Sequence, residues 1–370
     1  MKIGLVVNPI AGLGGRVGLK GTDGAGTASL ALDRGAIAQS GLRTRRALQR
    51  LADRVPDAAL TVAAGDLGET WAVGLGMNMT TIDLPAPTGT PDDTDKAVRA
   101  MAACDLIVFA GGDGTARDVT AAVSPSQAIL GIPCGVKMHS GVFVVTPEAA
   151  GALLADILLN PDQVTWNDAA EVMDIDEQAL RAGRIAPVLY GHVRVPKMRS
   201  RMQAAKGGPR ISSGAALATA AAQIARQMDE GTLYVIGPGT SAAAVVEATG
   251  QSSTLLGIDV MLDGAVIARD VTAAQIETLT AKRAVRVVLG VTGQQGFLIG
   301  RGNQQISPDV LRRATRDGLI ILASEEKLRG LAQPVLWIDS SDPDLDAELA
   351  GFVRVHTGQG RQTMMRLSAG

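Results

Sequence analysis

The junction Leu106-Ile107-Val108-Phe109-Ala110-Gly111-Gly112-Asp113-Gly114-Thr115 constrains the fold more than any other stretch of this chain. A short, uninterrupted apolar run bounded by turn residues is the mark of a buried strand. Here it ends in glycines and leads into a segment of helical spacing that reaches residue 123. A strand that feeds a glycine turn and then a helix begins a crossover unit, and such units build parallel sheets.

The same alternation recurs on both sides of the junction. Residues 2–7 read as a first strand, ended by Asn8-Pro9, and residues 60–63 and 129–132 as further strands. Residues 43–55 carry Ala47, Leu48, Leu51 and Val55 at helical spacing and stop before Pro56. Residues 93–103 are helical. Thr146-Pro147-Glu148 has the cap hydroxyl and first-turn proline of a helix start, and that helix closes at Asn160-Pro161. A doubly wound, mainly parallel sheet is therefore expected over the first 160 or so residues.

The texture then changes. Residues 172–176 and 188–195 read as paired strands, and 197–211 as a basic loop with Lys197, Arg199, Arg201, Lys206 and Arg210. Ser212 and Ser213 cap an Ala-rich helix. Strands follow at 232–236, 285–289, 319–323 and 335–338, with a hairpin turning at Asp263-Gly264. The fold class expected is α/β: a first domain over residues 1–165 and a second, β-rich α/β domain over 166–370 that completes the site.

Charge excludes some functions. Lys and Arg number 35 against 37 Asp and Glu, a net charge of −2, so neither nucleic acid nor an anionic membrane is expected as the main partner. Aromatic residues are 2 %, too few for a base-stacking platform. Nowhere do ~18 apolar residues run free of charge, and the start lacks a signal-type apolar stretch, so a cytoplasmic protein is expected. Cys104 and Cys134 adjoin strands and read as buried thiols, and three scattered histidines have no metal-ligand spacing. The apolar share of 46 % makes a homo-oligomer an expectation.

Chemistry concentrates where glycines follow strands. In residues 111–115, Gly111, Gly112 and Gly114 let backbone N–H groups approach phosphate oxygens, and the helix start adds positive dipole character. Thr115 can donate to a phosphate oxygen. Asp113 is anomalous in an anion cradle, and makes sense there if it holds a cation or takes a proton from an attacking hydroxyl. The alternative is a tight turn with a capping residue. Asp118, one turn on, either shares the face of Thr115 or is a surface charge. Neither the Walker ending nor the dinucleotide glycine spacing is present.

Asn8-Pro9 opens a glycine-rich loop in which Arg16 or Lys20 could neutralise phosphates. Gly237-Pro238-Gly239-Thr240-Ser241 is either a second anion nest or a structural turn. Residues 293–308 gather glycines and amides around Arg301 and Asn303, as a polar-ligand loop or a structured one. Lys137, His139 and Ser140 could border the same cleft. His192 reads as a packed histidine and His356 as peripheral.

Taken together, residues 111–115 and Asn8-Pro9 resemble the superfamily of NAD kinases, diacylglycerol kinases and sphingosine kinases. The longer pattern, Asn8-Pro9-Ile10-Ala11-Gly12-Leu13-Gly14-Gly15-Arg16, Gly111-Gly112-Asp113-Gly114-Thr115-Ala116-Arg117-Asp118-Val119, Gly237-Pro238-Gly239-Thr240-Ser241 and Gly300-Arg301-Gly302-Asn303-Gln304-Gln305-Ile306-Ser307-Pro308, is similar to a branch of ATP- or polyphosphate-dependent NAD kinases that includes acetoin-catabolism protein X. The resemblance implies an α/β nucleotide-binding domain, a second domain, and an active site between them. It implies Asp113 as the base for the 2′-hydroxyl of NAD, or as the group orienting it. Gly111, Gly112, Gly114 and Thr115 would line the phosphates, with Asn8 near the ATP and Mg²⁺ bridging phosphate oxygens. Apart from the resemblance, the residues themselves mark Arg16, Lys137, Gly237, Gly239, Thr240, Ser241, Arg301 and Asn303 as candidate cofactor contacts.

The chain also departs from that pattern. The Asn-Glu pair by which ordinary NAD kinases hold the acceptor nucleoside has no counterpart, and Asn167-Asp168 is a poor substitute. The expectation is thus phosphoryl transfer to a hydroxyl, most simply that of NAD. Another small hydroxylated acceptor, and a nucleotide-binding accessory protein without turnover, are the alternatives.

Overall fold

The computed structural model describes residues 1–19, 27–135, 138–175, 187–197, 214–293 and 295–370. The first sheet contains β1 (Ile3–Val7), β2 (Ala59–Ala63), β3 (Asn78–Ile82), β4 (Leu106–Gly111), β5 (Ala128–Pro133), β6 (Trp166–Ile175) and β7 (Pro187–Pro196). Their order is β3-β2-β1-β4-β5-β7-β6, and β1 to β5 are mutually parallel. Strand order reverses between β1 and β4, which puts a crevice at their carboxyl ends. Asn8 and residues 111–115 both stand there, because Val7 pairs with Ala110.

The period of a strand explains why β4 is apolar throughout. Leu106, Val108 and Ala110 pack beneath the helices Ser40–Ala52 and Pro147–Leu159, while Ile107 and Phe109 pack beneath Pro91–Ala100 and Asp113–Ala122. Each Leu, Ile or Val buried in this way contributes about 1.5–3 kcal/mol. The helices Ser40–Ala52 and Pro147–Leu159 meet at Gly151, where any Cβ would collide with the carbonyl of Ala47.

The sheet does not end near residue 165, as the change of texture suggested. β6 and β7 form an antiparallel pair, and Arg194 of β7 pairs with Ala128 of β5. Ala170, Val172, Val193 and Val195 bury their side chains in the first domain's core. The hairpin belongs to the first sheet because its apolar face is needed to cover that core. The passage to the second sheet therefore falls after Pro196. Most of the basic loop at 197–211, with Ser212 and Ser213, lies outside the described residues.

The second sheet holds β8 (Leu233–Ile236), β9 (Asp259–Leu262), β10 (Ala265–Ala268), β11 (Val285–Gly290), β12 (Leu319–Leu322), β13 (Val335–Trp337), β14 (Gly351–Gly358) and β15 (Arg361–Ser368). Its order is β10-β9-β8-β11-β12-β14-β15-β13, with β8, β11, β12 and β14 parallel. Asp263 and Gly264 both take positive φ, as the two-residue β9–β10 turn requires. Two α/β domains with mixed, mainly parallel sheets are thus present, in agreement with the expected fold class. No helix among the described residues is long and apolar enough to cross a membrane.

The segment after β11 ties the domains together. Phe297 and Trp337 belong to the second half of the chain, yet both pack into the core beneath β1, β4 and β5. Leu298 N donates to Trp337 O at 2.8 Å and Trp337 N to Gly296 O at 2.9 Å. Gln295 Nε2 donates to Met138 O at 2.5 Å, and Arg301 donates to Val145 O at 3.1 Å.

Candidate functional site

The glycine turn after β4 is built by its side chains. A Cβ on Gly111 would collide with Thr115, which folds back over the turn. Asn8 Nδ2 donates to Thr115 Oγ1 at 2.9 Å, and Asn8 Oδ1 accepts from Ile10 N at 3.2 Å. Asn8 N in turn donates to Ala110 O at 3.0 Å. The loops that follow β1 and β4 are therefore locked to one another, and the Thr115 hydroxyl keeps its own hydrogen to donate. Gly112 caps the helix in extended conformation and lies against Gly135, with 3.3 Å from its would-be Cβ to Gly135 Cα.

Asp113 is the first residue of that helix and is 5 % exposed. Its carboxylate turns toward residues 138–140 rather than into open space. Oδ2 accepts from His139 N at 2.6 Å and faces His139 Nδ1 at 2.9 Å. Oδ1 accepts from Ser140 N at 3.0 Å and from Ser140 Oγ at 2.7 Å. A buried carboxylate needs such donors to offset lost hydration. Ser140 Oγ, with one hydrogen to give, also stands 2.9 Å from Met173 O and accepts from Met173 N at 3.0 Å.

A cavity of about 260 Å³ opens beside the turn, between the domains. Gly12, Gly15 and Arg16 line it from the first domain, and Gly300, Arg301 and Gln304 from the second. On its wall Arg43 makes a two-point ion pair with Asp339, both almost wholly buried. Arg43 Nε also donates to Pro133 O. Arg301 lies 4.1 Å over the Phe297 ring and 3.6 Å from Asp339, with its Nε lacking a partner among the described residues.

Burial and charge work against each other in this cluster. Burial pushes Asp339 up, but the Arg43 guanidinium beside it wins and holds its carboxyl below the usual range. Burial opposes the charge of Arg43 too, and Asp339 more than compensates, raising it. Arg301 is lowered to about 10, chiefly by burial and also by Arg43 nearby. Burial pushes the Cys134 thiol to about 11, so it stays protonated and unreactive at neutral pH. Two buried arginines against one carboxylate leave the wall positive.

The expected residues thus fall into separate groups. Asn8, Gly111, Gly112, Asp113, Gly114 and Thr115 come together at the turn, and Arg16 and Arg301 line the cavity. Asp113 is not among the residues that line it. Asn303 shapes its own loop, accepting from Gly300 N at 2.9 Å and donating to Leu298 O at 2.8 Å. Gly237, Gly239, Thr240 and Ser241 sit at the end of β8, where Gly237 and Ser241 pack against Leu289 and Gly290 of β11, away from the cavity lining. Lys137 lies outside the described residues. Arg117 claims Asp118 and Asp174 in ion pairs.

Two buried residues of the cavity wall, Arg43 and Asp339, escaped the sequence reading. Arg43 lies one turn before Ala47 on the apolar face of its helix, and a cation on such a face is a signal. Asp339 is an acid just past the strand end at Ile338.

A divalent ion has no cage of its own: among the described residues no three His, Cys, Asp or Glu stand together. The donor set fits only an ion carried on a ligand's phosphates.

Two family models match the chain. The ATP-NAD kinase N-terminal domain covers residues 3–161, and the ATP-NAD kinase C-terminal domain covers residues 243–367. A solved structure bearing the name putative diacylglycerol kinase, from Bacillus anthracis str. Sterne, is 18 % identical with a TM-score of 0.24. That match covers 48 % of this chain and 46 % of that one, less than half of its length. No curated protein matches. With both domain models matching in order and together spanning most of its length, the chain belongs to the ATP-NAD kinase family.

Proposed function

We propose that this protein transfers a phosphoryl group from ATP, or from polyphosphate, to a hydroxyl of a small molecule, with the 2′-hydroxyl of NAD as the favoured acceptor and NADP as product. The observation that carries the reading is the glycine turn with an acidic residue at its centre, standing at the switch point between β1 and β4 and tied by Thr115 to Asn8. Backbone N–H groups and the helix start favour phosphate oxygens there, and the positive wall of Arg43 and Arg301 adds attraction for an anion. Asp113 governs the hydrogen of the acceptor hydroxyl. A divalent ion riding on the phosphates would neutralise charge that these residues leave uncompensated.

Asn167 and Asp168 stand on β6, where Asn167 accepts from Ala169 N at 3.2 Å and Asp168 pairs with Arg194 at 3.3 Å. Neither lines the cavity, which favours a second reading, a different small hydroxylated acceptor. The same proposal includes a cytoplasmic, self-associating enzyme of the acetoin-catabolism branch, with support from sequence motifs and composition alone.

Purified protein with ATP, Mg²⁺ and NAD is expected to form NADP, and Asp113→Asn to abolish turnover while keeping the fold. A screen that returns another phosphorylated metabolite and no NADP keeps the class and rejects NAD. Nucleotide binding by calorimetry with ATP intact beside every acceptor rejects the enzyme.

A further inference from the structure

We infer that the cavity between the domains selects a nucleoside triphosphate over inorganic polyphosphate as phosphoryl donor, and that Ile37 and Leu42 at its rim are the residues that hold the base. The inference rests on the phosphotransferase reading above and decides between the two donors which that reading allows.

The cavity has two kinds of wall. Arg43 and Arg301 are buried on one, both against Asp339, and leave it positive. Ile299 and Ile306 give the other an apolar interior, being 1 % and 2 % exposed. Ile37 and Leu42 carry that apolar lining out to solvent, at 67 % and 52 % exposure. Ile37 precedes the helix Ser40–Ala52, and Leu42 stands in its first turn, one residue before Arg43. Successive helix positions point about 100° apart, so the turn that buries Arg43 leaves Leu42 outside.

Single apolar side chains on a surface are ordinary. Two of them on the rim of a cavity with a cationic wall are a different case, because whatever the arginines attract is brought against them. A chain of ionised phosphates is charged along its whole length. It gains from the arginines, but against Ile37 and Leu42 it only loses hydration. A nucleoside triphosphate is anionic at one end and carries a weakly polar planar ring at the other, so it uses both walls. No aromatic residue lines the cavity, and the ring is therefore held by aliphatic contact rather than by stacking. A polyphosphate site would instead extend its positive charge to the rim. Among the described lining residues the rim cation is Arg16, half exposed and 3.6 Å from Glu277, which offsets its charge.

Size and position agree. The volume of about 260 Å³ lies below the ~300–1,000 Å³ of pockets for drug-sized ligands, which suits one nucleoside portion and not a dinucleotide. Gly135 lines the cavity and lies against Gly112 of the glycine turn. The cavity and the phosphate-binding turn are therefore neighbours, as the two ends of one nucleotide require.

Calorimetry with ATP and with inorganic tripolyphosphate, each with Mg²⁺, tests this, since the two share three phosphates and differ in the nucleoside. The parent is expected to bind ATP at least ~10-fold more tightly. The double change Ile37→Ala with Leu42→Ala, at two exposed positions where Tm is expected to hold, is expected to weaken ATP binding ~10-fold and to leave tripolyphosphate unchanged. Arg301→Met is expected to weaken both. Tripolyphosphate bound as tightly as ATP by the parent overturns the inference. So does a double variant that weakens both ligands alike or neither, or an Arg301→Met protein that binds both as the parent does. In each of these cases phosphoryl transfer to a hydroxyl leaves the kinase reading standing. A parent protein that binds neither ligand removes the reading and the inference together.

Discussion

Arg43 and Asp339, 296 residues apart in sequence, meet across the domain boundary in a two-point ion pair shielded from water on both sides. Neither domain buries this charge alone. The pair therefore acts on how the two halves are held, and through them on the cavity that it lines.

Removing one partner leaves a buried charge without compensation. Asp339→Ala is expected to destabilise the protein by about 3–5 kcal/mol in chemical denaturation. The double change Arg43→Met with Asp339→Leu is expected to cost less than the single one, since no charge is then stranded. A single variant as stable as the parent would mean that water reaches the pair.

Asp346 gives a pH signature beside the same pair. It is 3 % exposed, and burial pushes its carboxyl to about 6, despite hydrogen bonds from Ser340. Its folded value lies above the unfolded value of about 3.9, so its favourable contribution is complete below about pH 4 and is lost as pH rises through about 6. Asp346→Asn is expected to gain about 2–3 kcal/mol on the parent at pH 7.5, and nothing at pH 4. Denaturation curves at the two pH values check the difference.

Asn8→Ala removes the bond to Thr115 and the cap on Ile10 N together. A stability loss of about 1–2 kcal/mol is expected. A rise in the KM for ATP of roughly tenfold is expected with it, because the two phosphate-facing loops come apart. An unchanged KM would detach Asn8 from the donor site.

Arg301 lines the cavity; its Nε is buried and without a partner among the described residues, while its other nitrogens hold Gly300 and Val145. Arg301→Met is expected to weaken ATP binding at least ~10-fold by calorimetry, and Arg301→Lys to recover little of it. Lysine brings the charge but not the planar fork that reaches several partners at once. Equal affinity in the lysine variant would reduce the role of Arg301 to charge alone.

Local pattern alone revealed the first-domain strands at β1, β2, β4 and β5, their covering helices and the glycine turn. Each of these carries its own signal, since a doubly covered strand is apolar throughout and a glycine turn follows it directly. The Asp263-Gly264 hairpin was legible for the same reason. By contrast β3 has polar, exposed side chains, and β14 and β15 alternate Phe352, Arg354, Met364 and Arg366 outward, so apolar runs did not mark them. The membership of β6 and β7 in the first sheet rests on one long-range pairing, Ala128 with Arg194, which no local pattern encodes.

Residue chemistry along the chain determined that a phosphate-type turn with an acid at its centre exists, and where it begins. Only the tertiary structure decided what that acid touches. The direction of the Asp113 carboxylate depends on donors 26 and 27 residues away, and the positive wall depends on Arg43 meeting Asp339 from the other domain. Backbone preference acts over a few neighbours, whereas a buried charge is settled by whichever partners folding brings within reach, and spacing in a sequence carries no record of them.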